Sequence, residues 1–345
     1  MRLDTRPFRL LIVCLALMPA LFTLWLILNY GVDVPYWDEW VTAVLIERFF
    51  QGTLTVADLF ARNNEYIQFF PNLIFVLLGW LTRWDPRYGM LLSFVLACLV
   101  SFNIYRLAQT TSPGGGSRSL VQFVLANLFI FTPMQYENWL MGIQIIYFIP
   151  IVCITTCLRI TCSDRTGRVK FITCSALATI STFSSVNGIL CWVVVLPVLL
   201  RWQSLDKPAE KDWKVVAWIA GFALCATLYF SIDGKIALGF RFSDQLLVHL
   251  RQALAYFLAL LGAPLAIGPH PIFVAVSVGA AVLLLILFSW NVFLRLSTNH
   301  VIANSLIVWL MIGTYSVITA AMVTAGRMHY GVGQSLSSRY TTFSL

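Results

Sequence analysis

Charge is what this chain has least of. Asp, Glu, Lys and Arg make up 11% of its 345 residues while 59% are hydrophobic. That is too little polar material to cover a water-soluble body of this size, so the bilayer is the expected solvent. Lysine-rich blocks are missing as well. The formal charge of +8 is scattered through short gaps between apolar runs, which offers nucleic acid no basic stripe and matches instead the enrichment of Lys and Arg in cytoplasmic loops. No nucleic-acid partner is expected. Cys-x-x-Cys spacing is absent: Cys14, Cys98, Cys153, Cys157, Cys174, Cys191 and Cys225 lie inside apolar runs and Cys162 in a short basic loop. Buried free thiols are expected, and no metal ligand is assigned. His249, His270 and His300 are isolated, without i, i+4 partners, and are read as structural. There is neither a repeat of fixed period nor a soluble domain.

Long apolar runs are what the chain has in abundance. Leu10 to Val32 is a charge-free run of 23 residues behind Arg2, Arg6 and Arg9, about 34 Å of helix at ~1.5 Å per residue. It is longer than the apolar core of a signal peptide and lacks a small-residue cleavage site, so it reads as an uncleaved first helix with a cytoplasmic amino terminus. The segment Asp33 to Asn72 then lies on the outer face of the plasma (inner) membrane. It holds six of the fifteen acidic residues by Glu65, against Arg48 and Arg62. Val41, Val44, Leu45 and Phe49 stand at helical spacing, as in an amphipathic helix lying on the interface and ended by Gly52. Thr55 with Asp58 resembles a capping arrangement that opens a second short helix, closed by Asn63-Asn64-Glu65. The run Tyr66 to Thr82 has only 17 residues and is broken by Pro71.

Topology follows from the basic loops. If Tyr66 to Thr82 is juxtamembrane rather than crossing, Tyr88 to Tyr105 goes inward and residues 106–118, with the Ser112-Pro113-Gly114-Gly115-Gly116-Ser117 linker, are cytoplasmic. Ser119 to Tyr136 then comes out, Trp139 to Leu158 returns to the basic loop Arg159 to Lys170, and Lys170 to Arg201 is a hairpin turning at Asn187-Gly188. Val215 to Ile232 crosses outward to an Asp233 to Gln245 loop. Leu246 to Gly268 is open to crossing, to lying at the surface or to re-entering, while Pro271 to Leu294 and His300 to Ala325 span. The expectation is one all-α polytopic transmembrane bundle over residues 1–345. Its closing Thr341-Thr342-Phe343-Ser344-Leu345 looks like the first turn of a helix that continues beyond it.

Three groups of residues carry chemistry. Asp38 and Glu39, framed by Tyr36, Trp37 and Trp40, pair carboxylates with aromatic platforms; carboxylates hold or deprotonate hydroxyls, and rings stack on the C–H face of a sugar. The plainer alternative is that Asp38 caps the amphipathic helix, Glu39 favours its positive end and the tryptophans anchor at the interface. Glu137-Asn138, beside Gln135, Tyr136, Trp139 and Gln144, marks a second acidic point at the outer face. Arg327, His329 and Arg339 suit a lipid-linked phosphate, since guanidinium forks match phosphate oxygens, and ordinary loop charge is the alternative.

In this order the features resemble the GT-C superfamily of polytopic glycosyltransferases, which take sugars from polyprenyl-phosphate carriers and include protein O-mannosyltransferases and the lipid A aminoarabinose transferase. The acidic pair Asp38-Glu39 after the first helix, juxtamembrane helices with a proline at Pro71, the run ending at Arg106, Glu137, the Asn187-Gly188 turn and Arg339-Tyr340 carry the likeness. The chain departs from the pattern at Phe70, where a lysine stands in the family, at Glu137, where aspartate stands, and at Asn187, which replaces a lysine. The Trp-Asp-Glu-Trp and Glu-Asn-Trp patterns are also similar to an uncharacterised bacterial group of this class. The resemblance implies a GT-C-like bundle using a polyprenyl-phosphate-linked sugar donor and an acceptor that is a lipid, a glycan or a protein, among membrane lipids. It implies Asp38 as general base, Glu39 and Glu137 positioning the acceptor or a divalent cation, and inversion at the anomeric carbon. Tyr36, Trp37, Trp40, Glu65 and Asn138 would hold substrate, with Arg327, His329, Arg339 and Tyr340 at the carrier phosphate. A glycolipid transporter or flippase, and a glycan ligase or polymerase, are the competing classes.

Overall fold

The structure, a computed structural model, describes residues 6–63, 66–111, 117–202, 208–231 and 246–343. Asn64, Glu65, most of the expected cytoplasmic linker, Lys207, the Asp233 to Gln245 loop and the last two residues lie outside these. The chain divides into two compact units, Met1–Tyr229 and Phe230–Leu345.

The first unit opens with α1 (Arg6–Tyr30), a 3-10 turn Trp37–Glu39, α2 (Trp40–Phe50), α3 (Val56–Leu59) and a minimal antiparallel pair, β1 (Arg62–Asn63) and β2 (Tyr66–Ile67). It continues through α4 (Phe69–Thr82), α5 (Arg87–Thr111), α6 (Ser117–Ile130), α7 (Tyr136–Leu140), α8 (Ile145–Thr161), α9 (Gly167–Thr182), α10 (Leu190–Trp202) and α11 (Pro208–Ser231). The second unit holds α12 (Leu246–Gly262), α13 (Pro271–Arg295) and α14 (His300–Arg327), then three 3-10 turns, Met328–Tyr330, Val332–Leu336 and Ser338–Phe343.

Among the described residues six helices are long and apolar enough to cross a membrane: Leu10–Tyr30, Arg87–Thr111, Gly142–Thr161, Trp213–Ser231, Pro271–Arg295 and Val301–Tyr330. The protein is a multi-pass, membrane-embedded helical bundle. With 14 residues each, α4 and α6 reach only ~21 Å, short of the ~30 Å hydrocarbon core. α4 is not among the six long helices. For α6 this length differs from the single crossing read over Ser119 to Tyr136, because the helix stops at Ile130. Pro133 opens a 3-10 turn whose cap is Thr132, the Thr132 hydroxyl accepting from the Met134 N–H at 3.3 Å.

Polar side chains inside the first unit tie helix to helix. The Asn127 amide donates to the Ala16 carbonyl at 2.8 Å and accepts from Ser101 at 2.6 Å, while Asn103 donates to Thr156 at 2.8 Å. Such bonds contribute about 0.6 kcal/mol each, a modest amount because polar groups of unpacked helices also find partners within the membrane. The hairpin of α9 and α10 turns through Val186–Ile189 as expected, with the Ser181 hydroxyl donating to the Gly188 carbonyl at 2.8 Å.

In the second unit α12 and α13 cross at bare backbone. A Cβ on Gly262 would collide with the Ala275 carbonyl oxygen, and one on Gly279 with that of Leu258. The turns after α14 fold back on α12, where Gln252 donates to the Met328 carbonyl at 2.8 Å and the Tyr256 hydroxyl to Gln334 at 2.7 Å.

Candidate functional site

The acidic loop is built by short-range chemistry first. Between Tyr36 and Glu39 the chain makes a tight turn: the Glu39 N–H donates to the Tyr36 carbonyl at 3.0 Å, and the Glu39 carboxylate accepts from the Tyr36 N–H at 2.7 Å. Trp37 sits inside this ring with φ +50°, a left-handed backbone that costs a non-glycine residue about 1–2 kcal/mol. The carboxylate that closes the turn is therefore that of Glu39, whereas the helix-capping alternative gave the part to Asp38. Further along, Thr55 and Asp58 form a reciprocal capping box, and Arg48 pairs with Asp58. Gly52, at φ +68°, follows the end of α2.

α2 and α4 pack on one another through Leu45 and Val76, joined by Leu59 of α3. Asn72 ties α4 back to that short helix by donating to the Leu59 carbonyl at 2.9 Å. Val41, Val44 and Phe49 of α2 stay exposed, as do Leu73, Leu77 and Trp80 of α4. The amphipathic stripe expected over α2 is thus split: Leu45 turns to the protein and its other three members turn away.

Glu39 then leaves its own loop. Its side chain is 4% exposed, and its Oε1 accepts from the backbone N–H of Gly142 at 2.5 Å and of Ile143 at 3.4 Å. Burial pushes this carboxyl above its ordinary pKa, and the three N–H donors work against that rise. The Gly142 N–H reaches the carboxylate because two glycines meet: a Cβ on Gly89 would lie 2.7 Å from the Gly142 Cα, and one on Gly142 would lie 2.6 Å from the Pro86 carbonyl oxygen.

The turn from α4 to α5 completes the neighbourhood. Arg83 and Trp84 are both left-handed, at φ +57° and +61°, and Trp84 meets Trp40 edge-on with ring centroids 5.7 Å apart. Asp85 accepts from the Arg87 N–H at 3.0 Å and from its guanidinium at 2.7 Å, with Asp33 3.9 Å from the same guanidinium. A cavity of about 30 Å³ lies beneath, lined by Glu39, Thr42, Thr82, Trp84, Asp85 and Gly142 among others, large enough for one water. Sequence reasoning missed Trp84, Asp85, Arg87 and Gly142. Asp85-Pro86, an aspartate before a proline at the start of a helix, was the available signal for this turn.

The expected residues fare differently. Tyr36, Trp37 and Trp40 are exposed and Asp38 is partly exposed, and the chain just after Glu137 is joined to their turn by the Gly142 and Ile143 N–H groups on Glu39. Glu137 is partly exposed on α7, but Asn138 is fully buried, as is Trp139, whose indole donates to the Thr132 carbonyl at 3.1 Å. Asn138 therefore faces the interior and offers a ligand no surface. Glu65 lies outside the described residues. Arg327, His329, Arg339 and Tyr340 belong to the second unit. There His329 is exposed, Arg327 and Arg339 are partly buried, and Tyr340 is buried with the Arg339 guanidinium 5.7 Å from its ring centroid. No group of three or more His, Cys, Asp or Glu side chains gathers as a metal site among the described residues. Glu39, with both oxygens accepting from backbone N–H groups, does not fit the cation-ligand role that the resemblance implied.

No family model matches the chain, and neither the curated proteins nor the solved structures contain a significant match to it.

Proposed function

We propose that this protein is a membrane glycosyltransferase that moves a sugar from a polyprenyl-phosphate carrier to an acceptor hydroxyl at the outer face of the plasma membrane. The observation that supports this reading most is the presentation of Asp38. It is a partly exposed carboxylate on a turn whose preceding residue, Trp37, is strained, and Tyr36, Trp37 and Trp40 beside it in the chain are exposed.

In this reading Asp38 takes the proton from the acceptor hydroxyl as that oxygen attacks the anomeric carbon, the C–O bond to the carrier phosphate breaks, and polyprenyl phosphate departs. The aromatic rings supply a C–H stacking surface. Glu137 helps to hold the acceptor. Arg327 and Arg339, in the second unit, carry guanidinium forks of the kind that match phosphate oxygens. Strain at Trp37 is consistent with a site, because sparsely populated backbone conformations persist where surrounding structure over-determines them. A transporter would place its coupling residues within the spans. Asn103, the buried asparagine of the span Arg87–Thr111, is bonded to Thr156 of a neighbouring helix.

The test is direct. Membranes carrying the protein, given polyprenyl-phosphate sugars with a radiolabelled sugar, should transfer label to endogenous acceptor, and membranes lacking it should not. Label crossing the bilayer while still on its carrier, without transfer, would point to a flippase.

A further inference from the structure

We propose that Glu39 is a positioning residue: its carboxylate ties the 36–39 turn to the Gly142–Gln144 turn and so sets the placement of Asp38, without itself touching substrate. The inference rests on the function proposed for Asp38 and redefines the second member of the acidic pair.

Three observations carry it. First, the two oxygens of one carboxylate serve two parts of the chain: Oε2 takes the Tyr36 N–H within the turn, and Oε1 takes the Gly142 and Ile143 N–H groups from 103 and 104 residues away. A carboxylate this buried is tolerated when N–H donors replace its water. Second, the approach is built for. Gly89 and Gly142 remove the side chains that would hold the two backbones apart, and a Cβ on Gly142 would stand 3.2 Å from Glu39 Oε1. Third, the tie encloses Trp37, whose left-handed backbone needs support from its surroundings. The ring of hydrogen bonds between Tyr36 and Glu39 gives that support and fixes the direction of the residue between, Asp38. On the far side the Thr42 hydroxyl donates to the Glu39 carbonyl at 2.7 Å, joining the tie to the first turn of α2. The other acidic side chain on the same cavity, Asp85, is paired with Arg87.

Hydrogen exchange on the purified full chain reads the tie without needing turnover. Glu39→Gln keeps the shape but turns one acceptor into a donor, so the amides facing the exchanged atom, Tyr36 on one side or Gly142 and Ile143 on the other, should exchange roughly tenfold faster or more, while those of α5 and α8 stay protected. Transfer by the same variant should fall roughly ten- to a hundredfold in kcat, the scale of a lost hydrogen bond to a charged group, with the donor KM within about twofold. Gly142→Ala leaves the carboxylate in place but presses on it, and should reproduce both effects. It also serves if Glu39→Gln fails to accumulate. Unchanged exchange at Tyr36, Gly142 and Ile143 alike in Glu39→Gln overturns the tie. Faster exchange with unaltered kcat overturns the positioning role, and a raised acceptor KM with unchanged exchange would make Glu39 a substrate contact instead. Absence of transfer in the parent would defeat the glycosyltransferase reading alone, since the exchange result stands without it.

Discussion

Two turns in the acidic loop use the same device and end in opposite circumstances. In residues 36–39 and again in 55–58, a carboxylate three positions on reaches back to the backbone N–H of the first residue, at 2.7 Å from Glu39 and 2.8 Å from Asp58. Asp58 does so at the surface, with the Thr55 hydroxyl and Arg48 beside it, and its carboxyl is held below the ordinary value, chiefly by the Thr55 N–H. Glu39 does so in the interior, with Gly142 and Ile143 as further donors, and burial holds its carboxyl above the ordinary value. One carboxylate closes a helix start and pairs with Arg48 ten residues back, all within its own loop. The other closes a turn and also joins two distant parts of the chain, so the device is local but its consequence is set by what packs over it.

The sharpest way to test that contrast is to remove the residue displayed beside the buried carboxylate. Asp38→Asn should lower transfer by roughly 10²–10⁴-fold, the range of a lost general base, with the protein still inserted and folded. Near-parental label transfer by membranes carrying the variant would leave the 36–39 turn as a structural element and no more.

Next in size is the stability difference between the turns. Glu39→Ala leaves buried N–H donors without acceptors and should cost about 3 kcal/mol, whereas Asp58→Ala returns its N–H to water and should be far milder. Unfolding of the two variants in the same detergent compares them, and equal losses would break the distinction. Gly142→Ala, forced against Pro86, should cost about 1–3 kcal/mol by overpacking. A melting temperature within error of the parent would show that the turn yields easily.

The smallest effect is a difference in sign with pH. Asp58, with a lowered pKa, contributes stability that is present above its ordinary value and lost as the pH falls through the lowered one. Glu39, with a raised pKa, contributes stability that is present below its ordinary value and lost as the pH rises through the raised one. Parent minus Asp58→Asn should therefore rise with pH over its window, and parent minus Glu39→Gln should fall over its own. Slopes of the same sign would mean that the two carboxylates share one environment after all.

Much of the architecture was legible in the sequence because it depends on short-range rules. Charge-free length gave the first helix and the last two spans, Thr55 and Asp58 gave the capping box, and Asn187-Gly188 gave the hairpin turn. The end of α6 at Ile130 was missed because Phe131 and Thr132 continue the apolar run while Pro133 breaks it, and the break was given too little weight against hydropathy. Within the site, the acidic pair and its rings were legible as a cluster, but the division of labour inside the pair was not. Nothing local distinguishes Glu39 from Asp38. The distinction comes from Gly142, 103 positions further on, whose amide reaches Glu39. Asn138 was misjudged for the same reason: a polar residue beside an acid looks solvated until Trp139 and its neighbours pack around it.

The crossing of α12 and α13 has a consequence for sequence variation. Where Gly262 and Gly279 meet, main-chain atoms occupy the space that any side chain would need, so even alanine has no room unless the helices part. In a library of random single replacements across the second unit, selected for folded protein, these two codons should therefore stand out as gaps. Phe273 on the same helix α13, exposed at 73%, should accept nearly any apolar residue. The tightest specification in that unit is thus written in the one amino acid that carries no side-chain information.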